Sequence, residues 1–293
     1  MLSPTLPTIA TWLWRPRQSQ MQPRHLIRRT AARLGILPSV FGVYRWAREF
    51  TPAQLIANGR ARRDEQSSGV PIPPARLRYL ATTTREIPHF LEGGLAISKS
   101  LRDALDRVGS PFEAMGDVLD FGCGCGRVLR HWPHSVSPTI YGCDYNPRGV
   151  DWIRSHLPWI RAEVNQLKPP LPYADCSFDF VYALSVFTHL PTGLQDVWTA
   201  ELHRVLRPRG ILAITTMGES YAHRLSAEER ECFNAGQLIV HDSCLAGTNL
   251  CAVYHPESLV RQNPGRGFEV VDFRPNCAPP YVPQDQYLLR RND

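Results

Sequence analysis

Apolar and polar positions alternate in two distinct rhythms along the second half of the chain. "VLDFG" (118–122) is a short unbroken apolar run, the pattern of a strand buried on both faces. "TIYGCD" (139–144), "FDFVYAL" (178–184) and "GILAITTM" (210–217) repeat it. Between them the period lengthens. Val150, Ile153 and Leu157 share one face of a helix over 148–157. Leu194, Val197, Leu202 and Val205 do the same over 193–206, and Pro208 stops that helix near Arg207. "RVLRHW" (127–132) reads as a further helix. Strand and helix in alternation predict a parallel sheet with helices on both faces. "FEVVDF" (268–273) and "DQYLLRR" (285–291) have no helix between them and read as antiparallel neighbours at a sheet edge.

The first part of the chain reads differently. Residues 1–24 carry no periodic pattern. "HLIRRTAARLGIL" (25–37) sets Leu26, Ile27, Leu34 and Leu37 among arginines, a basic amphipathic helix. Residues 58–74 are polar, then proline-rich, and read as a linker; 75–108 read as helical up to the Gly109–Ser110–Pro111 break. The expected organisation is a basic arm (1–64), a helical lead-in (65–115), and a main α/β domain (116–293) with a loop-rich insertion at 219–254.

Charge sharpens this division. Residues 1–63 hold eleven arginines against Glu49 alone, net +10; the rest of the chain holds 22 basic and 26 acidic side chains, net −4. A mildly acidic body is a poor match for nucleic acid, so nucleic acid is not the expected partner. The basic arm is a candidate for peripheral contact with an anionic membrane surface. No stretch reaches the roughly 20 apolar residues of a membrane span. The start of the chain does not read as a secretory signal either, since it lacks a basic first segment and prolines break its apolar stretch. The eight cysteines form no C-x-x-C pair, so no metal site is expected, and their place in apolar runs suits a reducing, cytoplasmic setting.

The chemistry concentrates in "DVLDFGCGCGRVLRHW" (117–132). Glycines between a parallel strand and the next element expose backbone N–H groups and permit close approach of a ligand. Gly122, Gly124 and Gly126 therefore line a pocket floor, with Cys123 and Cys125 as small fillers. A dinucleotide turn, G-x-G-x-x-G, would need glycine at 127, where Arg127 stands. Asp120, two residues before Gly122, would repel a pyrophosphate and suits an ammonium group.

With an acidic residue followed by G-x-G-x-G, the chain resembles the class I S-adenosylmethionine-dependent methyltransferases. The resemblance covers about 75–291 and is specific over 117–217. It implies a doubly wound, seven-stranded, mostly parallel Rossmann-like sheet with an antiparallel C-terminal strand, and S-adenosyl-L-methionine as cofactor. It implies that Asp120, Gly122, Cys123, Gly124 and Gly126 meet the methionine moiety. Asp144 with Tyr145 would meet the ribose, Asn165 with Gln166 the adenine, and Ala183 with Ser185 would close the pocket after the fourth strand. Arg209 stands where the family more often has glycine. His189, five residues after the fourth strand, is the candidate general base, with a turn-capping histidine as the alternative. The expected reaction is methyl transfer at O or N of a small molecule or saccharide. Two other readings remain open at this point: a catalytically silent S-adenosylmethionine-binding module, and a nicotinamide-dependent oxidoreductase.

Overall fold

In the computed structural model the described residues are 55, 56, 58–60, 69–133 and 137–293. The helix expected over 25–37, and with it most of the basic arm, lies outside them. Residues 57–293 form one unit. It opens with α1 (Ala75–Thr82) and α2 (Ile87–Arg107), and continues through β1 (Asp117–Phe121), β2 (Thr139–Asp144), α3 (Pro147–His156), β3 (Ile160–Val164), β4 (Phe178–Ala183), α4 (Thr192–Val205) and β5 (Leu206–Thr216). There follow α5 (Ala227–Asn234), β6 (Ile239–His241), β7 (Ala252–Tyr254), α6 (Glu257–Gln262), β8 (Phe268–Arg274) and β9 (Asp285–Arg291).

Seven strands join in the order β3-β2-β1-β4-β5-β9-β8. The first five run parallel, and β9 lies antiparallel to both β5 and β8. The two C-terminal strands thus pair at a sheet edge, as their patterns predict. The order reverses beside β1, which places its carboxyl end at the topological switch point where open α/β sheets bind ligands. One apolar layer, including Leu101, Leu105, Val118, Trp132, Ile153 and Phe180, packs between the sheet and α2 and α3; a second, including Phe121, Val181, Trp198, Leu202 and Tyr287, packs under α4. At the opposite end of the strands, Asp179 accepts hydrogen bonds from Gly116 N (2.8 Å) and Arg207 Nη1 (2.6 Å), and Arg207 Nη2 reaches Asp117 (2.8 Å). That network ties β1, β4 and β5 together away from the ligand end.

The segment 75–108 is helical as expected, in two helices, because Thr83 takes the left-handed conformation (φ 59°) and ends α1. Two other local readings are corrected. "RVLRHW" forms turns and a single 3₁₀ turn, Leu129–His131, instead of an α-helix. Only six residues separate Gly126 from Pro133, and a proline cannot donate to a continuing helix. Strand β5 begins at Leu206 and not at 210; Arg209, within it, has φ 62°, the left-handed conformation glycine adopts most easily. The insertion 219–254 folds into a 3₁₀ turn, α5 with a Ser226–Glu229 capping box, and the β6–β7 ribbon, around a small cluster of Met217, Tyr221, Phe233 and Tyr254.

Candidate cofactor and acceptor site

The glycine turn is shaped by positive φ at Gly122 (83°), Gly124 (58°) and Gly126 (81°), a backbone that side chains resist. Two amides of the turn, Gly122 N and Cys123 N, are already taken by Cys143 O at 2.8 and 3.0 Å. Gly124 N is held by Asp144 Oδ2 at 2.8 Å. A methyl group on Gly122 would collide with Val186, which follows β4, and one on Gly149 of α3 would collide with the Gly124 carbonyl. The turn therefore packs between β2, α3 and the chain leaving β4, with no room for a side chain at Gly122 or Gly126.

Asp144 ends β2 and is 8% exposed. Its Oδ1 accepts Asn146 N at 2.8 Å while Oδ2 holds Gly124. Burial raises its pKa, and the two backbone N–H groups oppose that shift. Each oxygen retains a further lone pair. Asn165, after β3, donates its backbone N–H to Asp144 O (3.1 Å) and its Nδ2 to Gln166 O (2.7 Å). Its Oδ1 is buried with no partner, an acceptor that awaits a donor. Tyr145 is half exposed beside it, and Gln166 is exposed. The structure thus brings Gly124, Asp144, Tyr145, Asn165 and Gln166 to one end of the sheet.

Asp120 lies beneath this turn, 3% exposed, and its carboxyl accepts the Tyr182 hydroxyl. Tyr182 in turn accepts Trp132 Nε1 at 2.8 Å. Burial drives the Asp120 pKa well above the usual carboxylate range, and nearby Asp144 adds to the rise. The thiols of Cys123 and Cys125 are sealed in the core; burial pushes Cys125 up to about 12, so neither is a thiolate near neutrality.

On the other side of the switch point, Ala183 is fully buried at the end of β4, and Ser185 takes a left-handed backbone (φ 58°). Ser185 N donates to Thr215 Oγ1 (2.8 Å); Ser185 Oγ and Thr215 Oγ1 both donate to Gln284 Oε1 (2.9 and 2.6 Å). Nothing in the sequence flagged Thr215 or Gln284, since the three residues are scattered along the chain and meet only through the sheet. His189 sits in the 3₁₀ turn Phe187–His189. Its Nδ1 bonds Cys251 O (2.7 Å), and its own carbonyl accepts Gly247 N (2.8 Å). Donation from Nδ1 fixes the tautomer and leaves the lone pair on Nε2. Burial lowers the His189 pKa, so the ring is neutral near pH 7.

The profile of a family described as "Methyltransferase domain" matches residues 119–214, the span that holds the carboxyl ends of β1, β2, β3 and β4. Over that span the chain is similar to a methyltransferase domain. Among curated relatives, methyltransferase GfsG of Streptomyces halstedii is 30% identical over 131 residues, covering 42% of this chain and 44% of its own length. The malonyl-[acyl-carrier protein] O-methyltransferase of Enterobacter lignolyticus is 27% identical over 150 residues, covering 50% and 56%. The chain thus spans about half the length of the curated relatives it matches. Among solved structures, the 1,6-didemethyltoxoflavin-N1-methyltransferase of Burkholderia thailandensis aligns with a TM-score of 0.47 at 16% identity, covering 68% of this chain and 79% of that one.

S-Adenosylmethionine, the cofactor of this class, fits the methyltransferase domain on one structural ground: the orphaned, buried Asn165 Oδ1 is the acceptor an exocyclic amine needs. Among the described residues no helix is long and apolar enough to cross a membrane, and no cluster of three metal-ligating side chains occurs.

Proposed function

We propose that the protein transfers the methyl group of S-adenosylmethionine to O or N of a small molecule or saccharide. One observation carries the reading: the G-x-G-x-G turn after β1 is pinned by the carboxylate that ends β2, with a buried, partnerless amide oxygen after β3 alongside. In this reading Asp120 faces the ammonium end of the methionine moiety, and Gly122, Cys123, Gly124 and Gly126 its backbone side. Asp144 and Tyr145 take the ribose, Asn165 and Gln166 the adenine, and Ala183 and Ser185 the wall after β4. The bound cofactor supplies a methyl group activated on a sulfonium, so the chain's own task is positioning, exclusion of water and removal of the acceptor proton.

His189 is the residue we assign to that proton. Its Nδ1–H is committed to Cys251 O, its ring is neutral, and its Nε2 lone pair is free to accept. The insertion 219–254 supplies the Cys251 carbonyl, and Asn249 Nδ2 reaches Leu80 O of α1 at 2.9 Å, so insertion and α1 together form the roof that we assign to the acceptor side. The test is incubation of the protein with methyl-labelled S-adenosylmethionine and a panel of hydroxyl- and amine-bearing metabolites and saccharides. Once an acceptor is labelled, His189→Ala is expected to lower turnover on a hydroxyl by roughly 10²–10⁴-fold with cofactor affinity unchanged. Full turnover in that variant would return His189 to the role of a turn-capping histidine.

A further inference from the structure

Three side chains close a ring of hydrogen bonds at the carboxyl ends of β4 and β5. Ser185 follows β4, Thr215 lies near the end of β5, and Gln284 immediately precedes β9, whose Asp285 pairs with Thr216. Ser185 N donates to Thr215 Oγ1 at 2.8 Å. Thr215 is fully buried, so its own hydroxyl proton needs an acceptor inside the protein, and Gln284 Oε1 stands 2.6 Å away. Ser185 Oγ donates to the same oxygen at 2.9 Å. The ring thereby sets the amide: Oε1 is turned toward the two hydroxyls, and both its lone pairs are used.

Nε2 is turned the other way and keeps both its hydrogens. Among the described residues it has no hydrogen-bond partner, yet it is not one of the side-chain atoms sealed from solvent. Gln286, the residue of β9 paired with Thr215, behaves differently: its Oε1 accepts Ser100 Oγ (3.2 Å) and its Nε2 is sealed. Of the two amides, Gln284 alone opens outward. It opens at the ligand end of the sheet. Val186, next to Ser185, lies against Gly122 of the glycine turn. The same short turn after β4 carries His189, and is tightened by Thr188 Oγ1 on Ser185 O (2.7 Å) and His189 N on Val186 O (2.9 Å). Ser185 keeps a left-handed backbone there (φ 58°), a strain that clusters at functional sites.

An amide whose oxygen is saturated offers donors only. A hydroxyl ligand would seek an acceptor as well, and a carboxylate would seek a cation, which the ring lacks. A carbonyl oxygen accepts and never donates, so it matches Nε2. We propose that Gln284 sets the specificity of the acceptor site, its Nε2 donating to a carbonyl oxygen that the acceptor carries beside the atom to be methylated. This rests on the reading of the cleft as a methyl-transfer site and narrows its acceptor to a hydroxy- or amino-carbonyl compound.

The experiment loads the full chain with S-adenosylhomocysteine at pH 8 and titrates matched probes: ortho- and meta-hydroxyacetophenone against ortho- and meta-ethylphenol, and hydroxyacetone against propanol. Wild type is expected to take up the carbonyl member of at least one pair roughly ten- to a hundredfold more tightly. Gln284→Glu keeps an oxygen for Ser185 and Thr215 but sets a second oxygen where Nε2 stood. Gln284→Met removes the donor with no added charge, and gives the reading if Gln284→Glu does not fold. Both are expected to lose the preference by weakening the carbonyl member alone, with S-adenosylhomocysteine bound as in wild type. A preference that survives in Gln284→Glu would make the residue a structural brace and overturn the proposal. Equal uptake of both members by loaded wild type, or uptake of neither, also overturns it. Wild type that fails to bind S-adenosylhomocysteine overturns the cofactor reading instead, and the same probes titrated into the free protein then decide Gln284.

Discussion

Asp144→Ala is expected to weaken S-adenosylhomocysteine by about two orders of magnitude or more. Hydrogen bonds to a charged group contribute about 1.5–3 kcal/mol each, and a ribose diol would make two. The structure adds a second cause. Asp144 Oδ2 also holds Gly124 N at 2.8 Å, so the alanine variant frees the middle of the glycine turn as well as losing the ribose contacts. Asp144→Asn separates the two. Its amide oxygen can still hold one backbone N–H, so the turn is kept in part while the charge is lost. The expected order of affinity is wild type, then Asp144→Asn, then Asp144→Ala. Isothermal titration measures it, with thermal melts to show that each variant is folded. Unchanged affinity in Asp144→Ala would remove the ribose assignment.

The second large effect is on stability in acid. His131 and His255 are held neutral by burial, each with its pKa lowered to about 4. Neither finds a full set of partners: His131 Nε2 and His255 Nδ1 are sealed without one. The sign follows from proton uptake. In the unfolded chain each histidine titrates near its ordinary value of 6.5, so between pH 6.5 and 4 the unfolded state binds more protons. Stability is therefore intact above about pH 6.5 and falls as pH drops toward 4, by on the order of 3 kcal/mol per histidine. Urea melts across that range should show net proton uptake on unfolding, with His131 and His255 the largest contributors. The double variant His131→Gln/His255→Gln should flatten the slope. A slope unchanged by that pair of substitutions would assign the acid sensitivity to other groups.

Much of this architecture is visible in the bare sequence. The unbroken run "VLDFG" and the helical spacing of Val150, Ile153 and Leu157 are local patterns, and each forms the element its period predicts. The glycine turn is equally local, because positive φ at Gly122, Gly124 and Gly126 is a property of three neighbouring residues. The short turn after it was hidden, since "RVLRHW" has helical spacing and only the closeness of Pro133 limits it. The acceptor side was the least legible. Ser185, Thr215 and Gln284 come from three separate segments, and the Cys251 carbonyl that orients His189 is a backbone group with no sequence signal. Arg127 was visible only as a departure from a dinucleotide turn.

The account stands or falls on which cofactor the glycine turn accepts, and calorimetric titration of wild type with S-adenosylmethionine and separately with NADH measures that directly. Micromolar binding of S-adenosylmethionine, with no heat from NADH, is the predicted result. Binding of NADH alone would contradict it, and the roles assigned to Asp120, Asp144 and Asn165 would be discarded with it.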